Sequence, residues 1–129
     1  MPNILEYHYI VIYILKKQTK ENKMFLNKKY ETISPSEAKK RIDSGEDVVI
    51  LDVRTPAEYA QRHIKGSVLL PVDELRDKAE SLLKDKSKPL FVYCLSGARS
   101  SQASSVLSSF GYTKVYNLGG IMNWPYETE

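Results

Sequence analysis

Residues 88–112 read KPLFVYCLSGARSSQASSVLSSFGY. The run through Cys94 is apolar without alternation, as a strand covered on both faces should be. Small residues follow (Ser96, Gly97, Ala98), then Arg99 and a serine-rich stretch that reads as a helix stopped by Gly111. A strand that passes through a short loop into a helix is one step of an α/β fold. In open α/β sheets, ligands bind at the carboxyl ends of the strands. Cys94, the only cysteine in the chain, stands at such an end.

Working outward, the same alternation repeats. Upstream, YETIS reads as a short strand. SPSEAKKRIDSG reads as a helix with Ser34 as N-cap, Pro35 at the first helical position and Glu37 closing a capping box. DVVILDV is a second continuous apolar strand, and TPAEYAQRH opens a short helix at Thr55 and Pro56. GSVLLP is a brief strand closed by Pro71. DELRDKAESLLKD is amphipathic, with Leu75, Ala79, Leu82 and Leu83 on one face. Downstream, KVYNL is a strand and GGIMNW a turn into a short helix. The pattern predicts an α/β domain with an open, mainly parallel sheet.

The loop after Cys94 suggests a reactive thiol. Backbone N–H groups from Leu95, Ser96, Gly97, Ala98, Arg99 and Ser100, curled around one point, make a cradle for an anion. The helix start adds unsatisfied N–H groups and the positive end of its dipole. Gly97 permits backbone angles that other residues resist, and Arg99 adds a fixed charge. Together these favour thiolate over thiol. The alternative, an inert buried cysteine, explains none of these neighbours.

CLSGARS resembles the active-site loop of rhodanese-like domains, C-x-x-G-x-R-S. VVILDVRTPAEYAQRHIKGSVLLPV resembles that family's D-V-R, E-[FY] and H-I-x-G-[AS] stretch, and NLGGIMNW its terminal G-G-x-x-x-W. The three occur in family order over about residues 30–126. The resemblance implies about five strands with helices on both faces, and a sulfurtransferase in which Cys94 carries sulfane sulfur as a persulfide. Residues Leu95 to Ser100 would surround that sulfur, with no cofactor and no metal. The expected donor is thiosulfate or a low-molecular-weight persulfide, and the expected acceptor is cyanide, a thiol or a sulfur-carrier protein. Asp52, Arg54 and Glu58 are expected to build the scaffold beside the site, Arg54 and Glu58 as an ion pair. His63 is expected to be a turn or packing residue. Trp124, Gly119 and Gly120 are expected to shape the pocket wall or the core. Leu95 departs from the basic residue that many thiosulfate-using members carry after the cysteine, which weakens the case for that donor. Two alternatives remain: a non-catalytic rhodanese-like binding module, and a cysteine phosphatase or arsenate reductase. The phosphatases need C-x5-R, whereas the spacing here is C-x4-R.

The net charge of +3 is carried wholly by residues 1–31, with six lysines against three acids; the rest is balanced. A neutral domain gives no support for a nucleic-acid-binding face. Residues 1–28 read as a basic extension and 29–129 as the domain. The opening MPNILEYHYIVIYIL is too short to span a bilayer, which takes about 20 apolar residues, and no membrane partner is expected. It reads as a non-domain extension (with Met24 as an alternative start), as an added packing element, or as an interfacial anchor. Its tyrosines and β-branched residues favour strand over helix. One cysteine cannot form an internal disulfide, which points to a reducing compartment and a cytoplasmic setting.

Overall fold

A computed structural model of the chain describes residues 3–26 and 29–129. Five strands run parallel in one sheet, in the order β1-β5-β4-β2-β3. They are β1 (Glu31–Thr32), β2 (Val49–Asp52), β3 (Val68–Leu69), β4 (Leu90–Cys94) and β5 (Val115–Gly120). Between them lie α2 (Pro35–Asp43), α3 (Pro56–Gln61), α4 (Leu75–Leu82, entered through a 3-10 turn at Val72–Glu74) and α5 (Ala98–Ser109). The expected α/β architecture is what forms.

Strand β4 is central, and all five of its residues are buried. Period-2 alternation sends its side chains to opposite faces. Leu90, Val92 and Cys94 join one core with Leu51, Leu75, Ala79 and the α5 residues Ala103 and Leu107. Phe91 and Tyr93 join the other, with Ile50, Ile64, Ala38 and Trp124. Cores on both faces explain why β2 and β4 are apolar without alternation. On α4 the buried face is Leu75 and Ala79 with Leu83 just beyond, while Leu82, expected among them, is exposed. Ser34 caps α2 by accepting from Glu37 N at 3.1 Å. The Glu37 side chain shows no return bond to Ser34 N, whereas α3 has a reciprocal capping box between Thr55 and Glu58.

The N-terminal segment differs from expectation. Ile4–Leu26 is a helix, α1, not a strand. Its start is capped reciprocally: Asn3 Oδ1 accepts from Glu6 N at 2.9 Å, and Glu6 accepts from Asn3 N at 3.2 Å. Such a box favours helix locally, whatever the β-propensity of the residues that follow. Residues 3–15 are all exposed. The sequence-based boundary at 28/29 falls beside residues 27 and 28, which lie outside the described residues. No helix among the described residues is long and apolar enough to cross a membrane.

Candidate active site at the end of strand β4

Cys94 is the last residue of β4 and is 1% exposed. The chain then turns within three residues into α5. Gly97 is the N-cap of α5, with φ of +115°, a region that L side chains rarely adopt. This turn folds the loop back over the sulfur, and Gly97 N–H donates to Cys94 Sγ at 3.0 Å. Ser100 Oγ lies 3.5 Å from the same sulfur. Burial pushes the thiol up. The neighbouring Ser100 hydroxyl and the amides of Ser100, Gly97 and Ser96 outweigh it, so Cys94 titrates below its ordinary value.

Strand β5 closes the other side. Tyr93 pairs with Gly119 and Cys94 with Gly120, after a register shift that leaves Leu118 without a ladder partner. Gly120 has no room for a side chain: a Cβ there would sit 2.3 Å from Leu95 O and 2.7 Å from Ser96 Cα. The glycine therefore lets β5 lie against the loop that wraps the sulfur. Asn117, which sequence reading did not single out, fixes the Ser100 hydroxyl. Its Oδ1 accepts from Ser100 Oγ at 2.8 Å and from Gly119 N at 3.0 Å. The amide donor at Gly119 identifies which Asn117 atom is oxygen, and so makes Ser100 the donor of that bond. No signal in one sequence links residues 17 apart in this way.

The charged residues are wired differently from expectation. Arg54 and Glu58 were expected to pair, and they do not. Arg54 turns inward to Asp52, with Nη2 at 2.8 Å from Oδ2 and Nε at 3.0 Å from Oδ1. Both residues are buried. Tyr93 Oη donates to Asp52 at 2.7 Å, and Tyr93 in turn accepts from Ile64 N at 3.0 Å. Burial raises the Tyr93 phenol. Glu58 instead takes Arg99 from α5 in a bidentate pair, at 2.7 and 3.0 Å. That pairing holds Glu58 down to about 2, against the cost of partial burial. Arg99, expected to add its charge to the cradle, therefore points to Glu58 and acts on the sulfur only at range.

His63 and Trp124 lie away from the sulfur. His63 stacks on Tyr59 with ring centroids 3.8 Å apart, and its Nδ1 lies 2.8 Å from Tyr59 O, a packing role. Trp124 is buried in the core against Tyr126. Leu95, Ser96 and Ala98 line the exposed outer side of the loop. Among the described residues, no cluster of three or more His, Cys, Asp or Glu side chains is placed to hold a metal ion.

A buried cysteine at a parallel strand end, ringed by amides at a helix start, is the arrangement expected from the sequence motifs, and comparison with known proteins decides the family. The model of the rhodanese-like domain matches residues 34–126. The chain belongs to the rhodanese-like family. It is 39% identical over 71 residues to thiosulfate sulfurtransferase PspE of Escherichia coli, covering 55% of this chain and 68% of that one. It is 42% identical to a sulfurtransferase of Allochromatium vinosum, covering 65% and 78%. Among solved structures it resembles the Alr3790 protein of Anabaena sp., with TM-score 0.70 and 34% identity over 75% of this chain and 90% of that one. Likeness to relatives so named supports a rhodanese-type sulfurtransferase.

Proposed function

We propose that Cys94 accepts a sulfane sulfur as a persulfide and passes it to a nucleophilic acceptor. The observation that carries this reading is the Gly97 amide, at the start of α5, aimed at the buried Cys94 sulfur at 3.0 Å. Donors aimed in advance at a site of developing charge are usually the largest catalytic contribution. In the first half-reaction the Cys94 thiolate attacks the outer sulfur of the donor. The donor's bond to that sulfur breaks, and its electron pair leaves with the donor remnant. In the second, an acceptor nucleophile attacks the outer sulfur on Cys94, and the thiolate leaves. The chain needs no second thiol for this cycle, and it has none.

The C-x4-R spacing disfavours a phosphatase, since a tetrahedral oxyanion needs donors around three oxygens and this loop closes on one atom. One relative, named a putative sulfur carrier protein (YrkF of Bacillus subtilis), is 36% identical, with the match covering 52% of its length; it makes a carrier protein a reasonable acceptor class. A thiol that must stay free suits a reducing compartment, and the cytoplasm is the proposed setting.

The test is intact-protein mass spectrometry after incubation with thiosulfate and with a small persulfide, followed by a donor-by-acceptor panel. Wild type should gain one sulfur on Cys94 and lose it to cyanide or a thiol. Cys94→Ala should do neither, with an unchanged circular dichroism spectrum. Turnover above background in folded Cys94→Ala ends this reading.

A further inference from the structure

The loop after Cys94 has one cation, Arg99, and both of its terminal nitrogens are engaged by Glu58, at 2.7 and 3.0 Å. A bidentate pair fixes the guanidinium plane as well as its charge. The carboxylate is fixed in turn, because the Thr55 amide and hydroxyl both donate to its Oε1, at 3.2 and 3.1 Å. Arg54, on the neighbouring strand end, is closed on Asp52. With Cys94 ionised, the set Cys94, Arg99 and Glu58 holds one net negative charge. Beside it the surface is apolar: Leu95 is 41% and Met122 69% exposed. The two are tied together where Met122 N donates to Leu95 O at 3.4 Å.

We propose, resting on the sulfurtransferase reading above, that Glu58 and Leu95 determine donor specificity, favouring an alkyl persulfide over the thiosulfate dianion. Thiosulfate brings two negative charges to a mouth whose one loop cation is already neutralised. At an effective dielectric of about 20, charges a few Å apart still interact by several times the thermal energy. An alkyl persulfide, R–S–SH, meets less repulsion and places carbon against Leu95 and Met122. The step balances. The Cys94 thiolate bonds to the outer sulfur of R–S–SH, the S–S bond of the donor breaks, and R–S⁻ leaves. The more acidic Cys94 persulfide then gives its proton to R–S⁻.

The experiment measures single-turnover persulfidation of Cys94 in the full chain, with thiosulfate and with cysteine persulfide. Each rate is divided by that of the same donor with mercaptoethanol thiolate, which removes the donors' intrinsic reactivity. The normalised rate should be higher for cysteine persulfide in wild type. Glu58→Gln releases Arg99, and Leu95→Lys adds a cation without touching the pair. Each should raise the ratio of thiosulfate to persulfide rates about tenfold, a change of about 1.4 kcal/mol. Added salt should shrink the gain in Leu95→Lys. If Glu58→Gln does not fold, Leu95→Lys decides alone. Equal normalised rates in wild type, or an unmoved ratio in the folded variants, overturns the specificity assignment while leaving the sulfurtransferase reading intact. Failure of wild type to form a persulfide from either donor overturns both.

Discussion

Asp52 and Cys94 stand at the carboxyl ends of adjacent strands, β2 and β4, which pair in register with Asp52 opposite Tyr93. Both are buried acids, yet one end is shut and the other is poised. The oxygens of Asp52 take donors from Arg54 N, Arg54 Nε and Nη2, and Tyr93 Oη. That set uses up the carboxylate's capacity and ties β2 to the segment leading into β3. The sulfur of Cys94 receives weaker, mostly backbone donors, on a loop whose outer side is exposed at Leu95 and Ser96. A satisfied ion pair locks the first end. Backbone donors at the second hold charge without consuming it, which leaves room for chemistry. Arg99, the cation of the loop at the second end, is held away by Glu58, which belongs to the helix following the first.

The largest effect expected from breaking this contrast is at the shut end. Arg54→Met leaves Asp52 buried beside Tyr93 with its charge uncompensated. Removing one partner of a buried pair typically costs about 3–5 kcal/mol. Urea unfolding should show the midpoint falling at unchanged slope. The double variant Asp52→Leu/Arg54→Met should recover part of that loss, because no lone charge remains. If the single variant loses less than about 1 kcal/mol, the pair behaves like an exposed one and the contrast between the two ends fails.

At the poised end, geometry should matter more than stability. Inserting one residue between Gly97 and Ala98 makes the spacing C-x5-R and opens the ring around the sulfur. Loss of one preorganised donor costs about 3 kcal/mol in rate, so sulfur transfer should fall at least tenfold while the urea midpoint moves little. Unchanged transfer in a folded insertion variant means that loop length does not select the chemistry.

The strand–loop–helix around Cys94 was legible because consecutive residues carry it: an apolar run, small residues, an arginine, a helix. The wiring of charges was not. Arg54 and Glu58 are four apart and look matched, but the chain leaves β2 extended, and Arg54 folds back on Asp52 two residues before it. Glu58 sits at the third position of α3, where its carboxylate closes the capping box with Thr55 and faces α5. Its partner is 41 residues further along, and only the packing of α5 against the sheet brings them together. Asn117 escaped notice for the same reason. In α1, β-propensity was read where the Asn3–Glu6 box was the stronger local signal.

The Glu58–Arg99 pair sharpens the comparison through pH. Glu58 is held at about 2 by Arg99, below its ordinary 4.5. A depressed carboxylate contributes stability that is fully present above its unfolded value and is lost as pH falls through the folded one. Wild type should therefore exceed Glu58→Gln in stability at pH 7, and the gap should close between about pH 4.5 and 2. Both side chains are partly exposed, so the gap should be small and should diminish with salt. A gap that stays constant from pH 7 to 2 shows that the Glu58 charge contributes nothing to it.

The smallest effect is expected furthest from both strand ends. In α1 every described side chain from residue 3 to 15 is exposed, with Ile4 at 84% and Tyr9 at 81%. Burial of apolar area is the main favourable term in folding. A segment that buries none of its described apolar side chains contributes little to the domain, however apolar it is. The rhodanese-like match begins only at residue 34. Deleting residues 1–23 should leave the thermal midpoint and the rate of sulfur transfer nearly unchanged. Full-length and truncated chains, compared by scanning calorimetry and by single-turnover persulfidation, test this directly. A fall of several degrees on truncation, which for a domain of this size corresponds to about 1 kcal/mol, means that α1 packs on the domain in solution. A change confined to the transfer rate means that the helix reaches the mouth at Leu95 and Met122.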